Sequence, residues 1–344
     1  MSHPFFDARR YPWDMEAAKA VHSALHRHVP APNAIILLYQ QSNSALENLN
    51  TGQPPRLIWK DALDNLAAAN SLRKLAAEVR KDEGLFPVQE AFDEVQKLPD
   101  PLKGPILQSG KIFFNRFQLR QELQRLSDPR GSNSLLLVRG EASSGKTWTR
   151  NMVVDEAKAL GEKAIIITQG TDGDDEEVLD HIFSVLGGTA PSKLESRPAW
   201  YRKSCNEMVR TLESQAKPKY PRYWLIADDL GPARDGRSSL DPSILSFFEQ
   251  AANRLEDDAF STWFRLVLID YPEKTVPTNW KGFWSEDKTS VASVNEAEVS
   301  AYLVDWAAFR DKTLSKTEAG DLAKNLFDKA KYPTIIVWCK RMSL

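Results

Sequence analysis

The run Leu135-Leu136-Leu137-Val138, followed closely by Gly140-Glu141-Ala142-Ser143-Ser144-Gly145-Lys146-Thr147, constrains this chain more than any other feature. An uninterrupted apolar run of strand length suits a parallel sheet covered on both faces. Glycines at the two ends of the loop let the backbone curl tightly, and the Lys-Thr pair opens a helix. The free N–H groups of that helix start would then face whatever the loop encloses, which favours a phosphate. Gly140, Ala142, Ser143, Ser144, Gly145 and Lys146 are the cradling candidates, with Trp148 in the turn that follows. Lys146 suits the β and γ phosphates, and the Thr147 hydroxyl suits Mg²⁺. The bland alternative is an ordinary glycine turn.

From Ser134 onward strand-like and helix-like segments alternate, which predicts a parallel sheet flanked by helices. Strands are expected at Leu135–Val138, Ala164–Ile167, Tyr223–Ala227 and Phe264–Ile269, with a fifth candidate at Val291–Val294. Helices are expected at Thr147–Leu160, Glu176–Leu186, Trp200–Gln215 and Ser243–Leu255, and then at Glu296–Ala308, Ala319–Ala330 and Thr334–Met342. The strand Tyr223–Ala227 ends in Asp228-Asp229. Asp228 is the natural carboxylate for a magnesium shell, and Asp229 could polarise an attacking water. Asp270 ends a later strand, where a polar residue could sense hydrolysis or merely cap the strand in solvent. The acidic run Asp172, Asp174, Asp175, Glu176 and Glu177 resembles a helix N-terminus more than a metal site.

The first ~80 residues show helical spacing throughout, through Val21 and Leu25, then Trp59 and Leu63, then Leu72 and Leu75. Asp14 is placed to cap the first helix. This predicts a compact bundle of about five helices, followed by a helix at Pro87–Lys97 with little to pack and a proline-rich linker. The segment Lys111–Arg130 is basic and amphipathic, and reads as a solvated helix leading into the α/β part.

Composition removes several classes. With 45 Lys+Arg against 47 Asp+Glu in 344 residues, no general basic coat exists for nucleic acid, although the Lys111–Arg130 segment keeps a local patch open. Cys205 and Cys339 cannot build a disulfide framework, and no apolar run approaches a membrane span. The expectation is a cytoplasmic chain with no membrane contact. His22 and His26 have the spacing of a zinc pair, but no cysteine or third acidic ligand accompanies them.

The order of these features resembles the STAND class of P-loop NTPases, the signalling ATPases that include the NACHT and apoptotic-ATPase groups. The match runs from Phe114-Asn115-Arg116 through the Gly140–Thr147 loop and the Asp228-Asp229 strand end to Ser290–Val299 and Tyr332-Pro333. The resemblance implies ATP and Mg²⁺ as ligands, with Arg116 lying against the nucleotide and Pro333 touching it from a C-terminal helical lid. It departs from the pattern at Ile269-Asp270-Tyr271, where such ATPases often carry an arginine. The N-terminal spacing, from Ala18-x-x-Val21 to Leu72-x-x-Leu75, resembles the effector-associated, death-fold-like adaptor domains of bacterial conflict systems.

The resulting layout is a helical adaptor over residues 1–84, a linker over 85–110, an α/β P-loop NTPase core over 111–294 and a helical lid over 295–344. The resemblance implies an ATP-binding signalling adaptor in bacterial defence. Its partner is an effector protein carrying a matching helical domain, and self-oligomerisation is open. A slow ATPase activity is open as well. Two other readings stand beside it: an AAA+-like helper ATPase acting on nucleic acid, and a non-hydrolysing scaffold that keeps its nucleotide. At this length the trigger is expected to use these parts or come from another chain.

Overall fold

The computed structural model describes residues 3, 5–13, 15–43, 49–96, 116–128, 132–141, 144–168, 173–216, 218–231, 240–272, 275–290, 296–309 and 312–327. It forms two compact units. The first contains Met1–Asp100 with Glu156–Ala164 and Gln215–Trp224, and the second contains the remainder.

Among the described residues the N-terminal part of the first unit carries five α-helices: α1 (Glu16–His28), α2 (Pro32–Ser42), α3 (Pro55–Ala68), α4 (Leu72–Val79) and α5 (Phe86–Gln96). Prolines in the first turn start α2 and α3, where a missing N–H costs nothing. The apolar stripes predicted on α1, α3 and α4 are buried, through Val21, Leu25, Trp59, Leu63, Leu66, Leu72 and Leu75. Trp59 can sit in the core because its Nε1 donates to the Val29 carbonyl at 3.0 Å. One expectation fails. The helix after residue 86 packs fully, burying Val88, Phe92 and Val95 in the same core. Its partners come from the start of the chain, where Phe5 and Phe6 are buried and both rings meet Phe92. Asp14 lies outside the described residues.

The second unit carries α6 (Phe117–Ser127), β1 (Leu135–Gly140), α7 (Lys146–Ala159), β2 (Lys163–Ile167), α8 (Asp175–Leu186), α9 (Arg197–Glu213) and β3 (Tyr223–Ala227). It continues with α10 (Pro242–Asn253), α11 (Asp258–Trp263), β4 (Phe264–Ile269), β5 (Trp284–Thr289), α12 (Glu296–Phe309) and α13 (Lys316–Phe327). The last turn of α7, from Glu156, and the first residues of β2 and β3 group with the first unit. The five strands form one parallel sheet in the order β2-β3-β4-β1-β5, giving an α/β fold with helices around the sheet. Central strands β3 and β4 are buried along their whole length, as apolar strands covered on both faces must be. Arg265 is the exception in β4, and its guanidinium is spent on the Leu126 carbonyl at the end of α6 (3.0 Å) and on the Ser261 and Phe264 carbonyls.

The fifth strand is Trp284–Thr289, pairing with β1 from Leu135↔Trp284 to Gly140↔Thr289. The expected strand at 291–294 lies outside the described residues, as does the expected helix at 334–342. The acidic run does start a helix: Asp174 caps α8 by accepting from Glu176 N (2.9 Å) and Glu177 N (3.1 Å). Among the described residues no helix is long and apolar enough to cross a membrane.

Candidate functional site

The strand order brings three C-terminal strand ends side by side: β3 ending before Asp228, β4 ending before Asp270, and β1 ending at Gly140. Crevices outside such ends are where open α/β sheets take ligands. The Gly140–Lys146 segment joins β1 to α7 here, and its glycines are required by the backbone. Gly140 has φ of +143°, and a Cβ on it would collide with the carbonyl oxygen of Thr289. Gly145 has φ of +83° with open space around it, so it is selected by conformation alone. Strand β5 shapes the loop from the other side: Glu141 N donates to Thr289 O at 3.1 Å, and the Ser144 and Thr289 hydroxyls meet.

Lys146 opens α7 with its side chain buried and its Nζ folded back into the loop. It donates to the Gly140 carbonyl at 2.9 Å and the Glu141 carbonyl at 2.6 Å, and stands 3.3 Å from Asp270 Oδ1. One helical turn later on the same face, Arg150 stands 3.2 Å from Asp228 Oδ2. Trp148 is half-buried in the first turn of α7, its N–H on the Gly145 carbonyl at 3.0 Å. Ala142, Ser143, the Thr147 side chain and Pro333 lie outside the described residues.

Asp228 is fully buried, and burial pushes its carboxyl from the ordinary 3.8 up to about 6. The neighbouring Asp229 adds to that rise, Arg150 and the Asp229 N–H oppose it, and Asp270 adds a smaller push. The Asp229 amide donates to Asp228 Oδ1 at 3.0 Å, and Asp229 itself takes the left-handed conformation at φ +65°. The two acids therefore divide in character, one buried and held, the other half-buried on a strained turn.

Arg116 is placed beneath the loop. Its guanidinium donates to the Gly145 carbonyl (3.4 Å), Thr149 Oγ1 (3.1 Å) and the carboxylate of Asp287 on β5. Burial raises the Asp287 carboxyl and Arg116 holds it down. Elsewhere in the basic segment Arg125 is paired with Glu122 at 2.8 Å, and 111–115 and 129–130 lie outside the described residues. Arg150, Asp287 and Thr289 join the site without being singled out by any motif. Only Arg150 left a signal, four residues after Lys146. His22 is spent on the Arg56 carbonyl (3.0 Å) and Trp13, and burial lowers its pKa.

The donor set suits a phosphorylated ligand with a hard cation. A glycine-lined turn, a helix start and a buried ammonium face acids at two adjacent strand ends. Among the described residues no group of three His, Cys, Asp or Glu side chains is arranged to hold a metal ion. Magnesium bound with phosphates takes only one or two carboxylates from a protein.

Comparison with known proteins adds little. No family model matches the chain, and no curated protein matches it. Among solved structures it is similar to a chain of the E. coli MS115-1 HORMA:CdnC:Trip13 complex, at 11% identity and a TM-score of 0.31. That similarity covers 58% of this chain and 61% of the other, so less than two thirds of that protein's length is spanned. A likeness at this level assigns neither fold nor function.

Proposed function

We propose that this chain is a nucleotide switch: a P-loop NTPase core of STAND type that binds ATP with Mg²⁺ and governs recruitment of an effector through its N-terminal helical unit. The observation that carries the nucleotide half is the Gly140–Lys146 turn, with two backbone-required glycines around a buried lysine ammonium at a helix start. When bound, the triphosphate and its magnesium would supply the scissile anhydride and the cation charge. The chain's own residues bind and orient. The first N–H groups of α7 and Lys146 Nζ would take phosphate oxygens, the ammonium giving up loop carbonyls to do so. Thr147 and Asp228 would hold the magnesium shell, with Arg150 steadying Asp228 from α7. Asp229 would take the proton of an attacking water in any slow hydrolysis. Arg116 is a positioning residue in this reading, since its donors hold the loop and β5 together.

The adaptor half rests on the helical unit, which buries a core of its own and resembles the effector-associated domains in its apolar spacing. The resemblance to effector-associated domains is what supports a role in bacterial defence. The test is isothermal titration of ATP with Mg²⁺ into the full chain and into Lys146→Ala. Binding should weaken by about tenfold or more in the variant, the loss of a charged hydrogen-bond donor to phosphate. Unchanged affinity would sink the proposal.

A further inference from the structure

One charged group at the loop has no role in this scheme. Asp270 follows β4, the strand lying between β1 with its loop and β3 with Asp228. Its Oδ1 is 3.3 Å from Lys146 Nζ. Its backbone is left-handed at φ +59°, a conformation costly for most residues and tolerated best by Asn and Asp. The carboxylate rests against Gly231 on the segment after β3. A Cβ there would stand 2.5 Å from Oδ2 and 3.1 Å from Oδ1. The fold reserves room for this side chain by leaving another one out.

Resting on the nucleotide reading above, we infer that Asp270 is a counter-anion gate that sets the selectivity of the loop between nucleoside triphosphates and diphosphates. The lysine of such a loop serves the β and γ phosphates. A γ-phosphate brings additional negative charge to a place already held by a carboxylate, whereas a diphosphate does not. The gate therefore acts by repulsion, raising the concentration of triphosphate needed to occupy the site and leaving diphosphate binding nearly untouched. It also predicts that salt, which screens like charges, narrows the difference.

The experiment is titration of the full chain with the non-hydrolysable triphosphate AMP-PNP and with ADP, at low and high salt, with Mg²⁺ and with EDTA. Asp270→Asn should tighten AMP-PNP binding by about tenfold at low salt and change ADP binding less than about threefold, the repulsion of one charge at a partly exposed site. Gly231→Ala keeps the carboxylate but pushes it off its seat, and should move AMP-PNP affinity the same way. The double variant should bind no tighter than Asp270→Asn alone, because both changes remove one interaction. Weaker AMP-PNP binding in Asp270→Asn, seen only with Mg²⁺, would make Asp270 a metal ligand and overturn the gate. Equal changes for both nucleotides, or none, would also overturn it, while wild-type binding abolished by Lys146→Ala would leave the nucleotide reading standing. A wild-type chain that binds neither nucleotide overturns both.

Discussion

Replacing Asp228 by Asn should stabilise the ligand-free protein, because the site keeps a buried charge that the fold does not want. The carboxylate is fully buried and its pKa stands at about 6 against an ordinary 3.8. A rise of about two units corresponds to roughly 3 kcal/mol of penalty on the ionised form. The attraction of Arg150, which is 29% exposed, already opposes the rise within that value and adds no separate loss. The net expectation is a gain of about 3 kcal/mol near pH 8, or about 6–12 °C in melting temperature for a unit of this size. The sign follows from the direction of the shift. A carboxyl that holds its proton more tightly when folded favours the folded state below about pH 4, and that advantage is lost as pH rises through about 6. The gain from Asn should therefore shrink to nothing near pH 4, where Asp228 is already protonated. The assay is thermal denaturation of both proteins in EDTA across this range, compared as a difference so that other titrating groups cancel. A variant that melts below wild type near pH 8, or a difference that ignores pH, would refute the reasoning.

Three further substitutions test the scaffold. Gly140→Ala should cost at least about 3 kcal/mol, since a Cβ meets the Thr289 backbone as well as a forbidden φ. Gly145→Ala should cost only about 1–2 kcal/mol, because its surroundings are open and only the φ is wrong; urea midpoints that fail to rank the pair this way contradict the loop geometry. In the first unit, buried Glu162 faces Arg9 at 3.4 Å and Arg222 at 3.8 Å, and accepts from Trp224 Nε1. Glu162→Ala should cost about 3–5 kcal/mol by removing the buried carboxylate that both arginines face, measured by denaturation with tryptophan fluorescence; a loss under about 1 kcal/mol would show the cluster to be solvated.

How far the chain can be read without coordinates depends on where each element finds its partners. Strands β1 to β4 and helices α1, α3, α4 and α7 were legible because each carries its own evidence: an apolar run, a helical stripe, or for α7 the glycine loop in front of it. Asp228 could be singled out because an apolar strand running into acids is a local pattern. Strand β5 was not legible. Ser285-Glu286-Asp287-Lys288 has no strand signature, and becomes a strand because β1 offers an unpaired edge where charged side chains are tolerated. Helix α5 was underrated for the converse reason, since the aromatic residues it packs against stand some eighty positions earlier.

The proposed phosphate-binding chemistry is written in one contiguous segment, because a turn of eight residues needs only local backbone freedom and the right side chains in order. Nothing local places β4 between β1 and β3. That order, set by long-range strand pairing, carries Asp270 to Lys146, Asp228 to Arg150 and Asp287 to Arg116. Charge pairing across strands depends on register and neighbour, and a linear pattern holds neither. The loop's identity is thus a property of the sequence, whereas the balance of charges around it is a property of the fold.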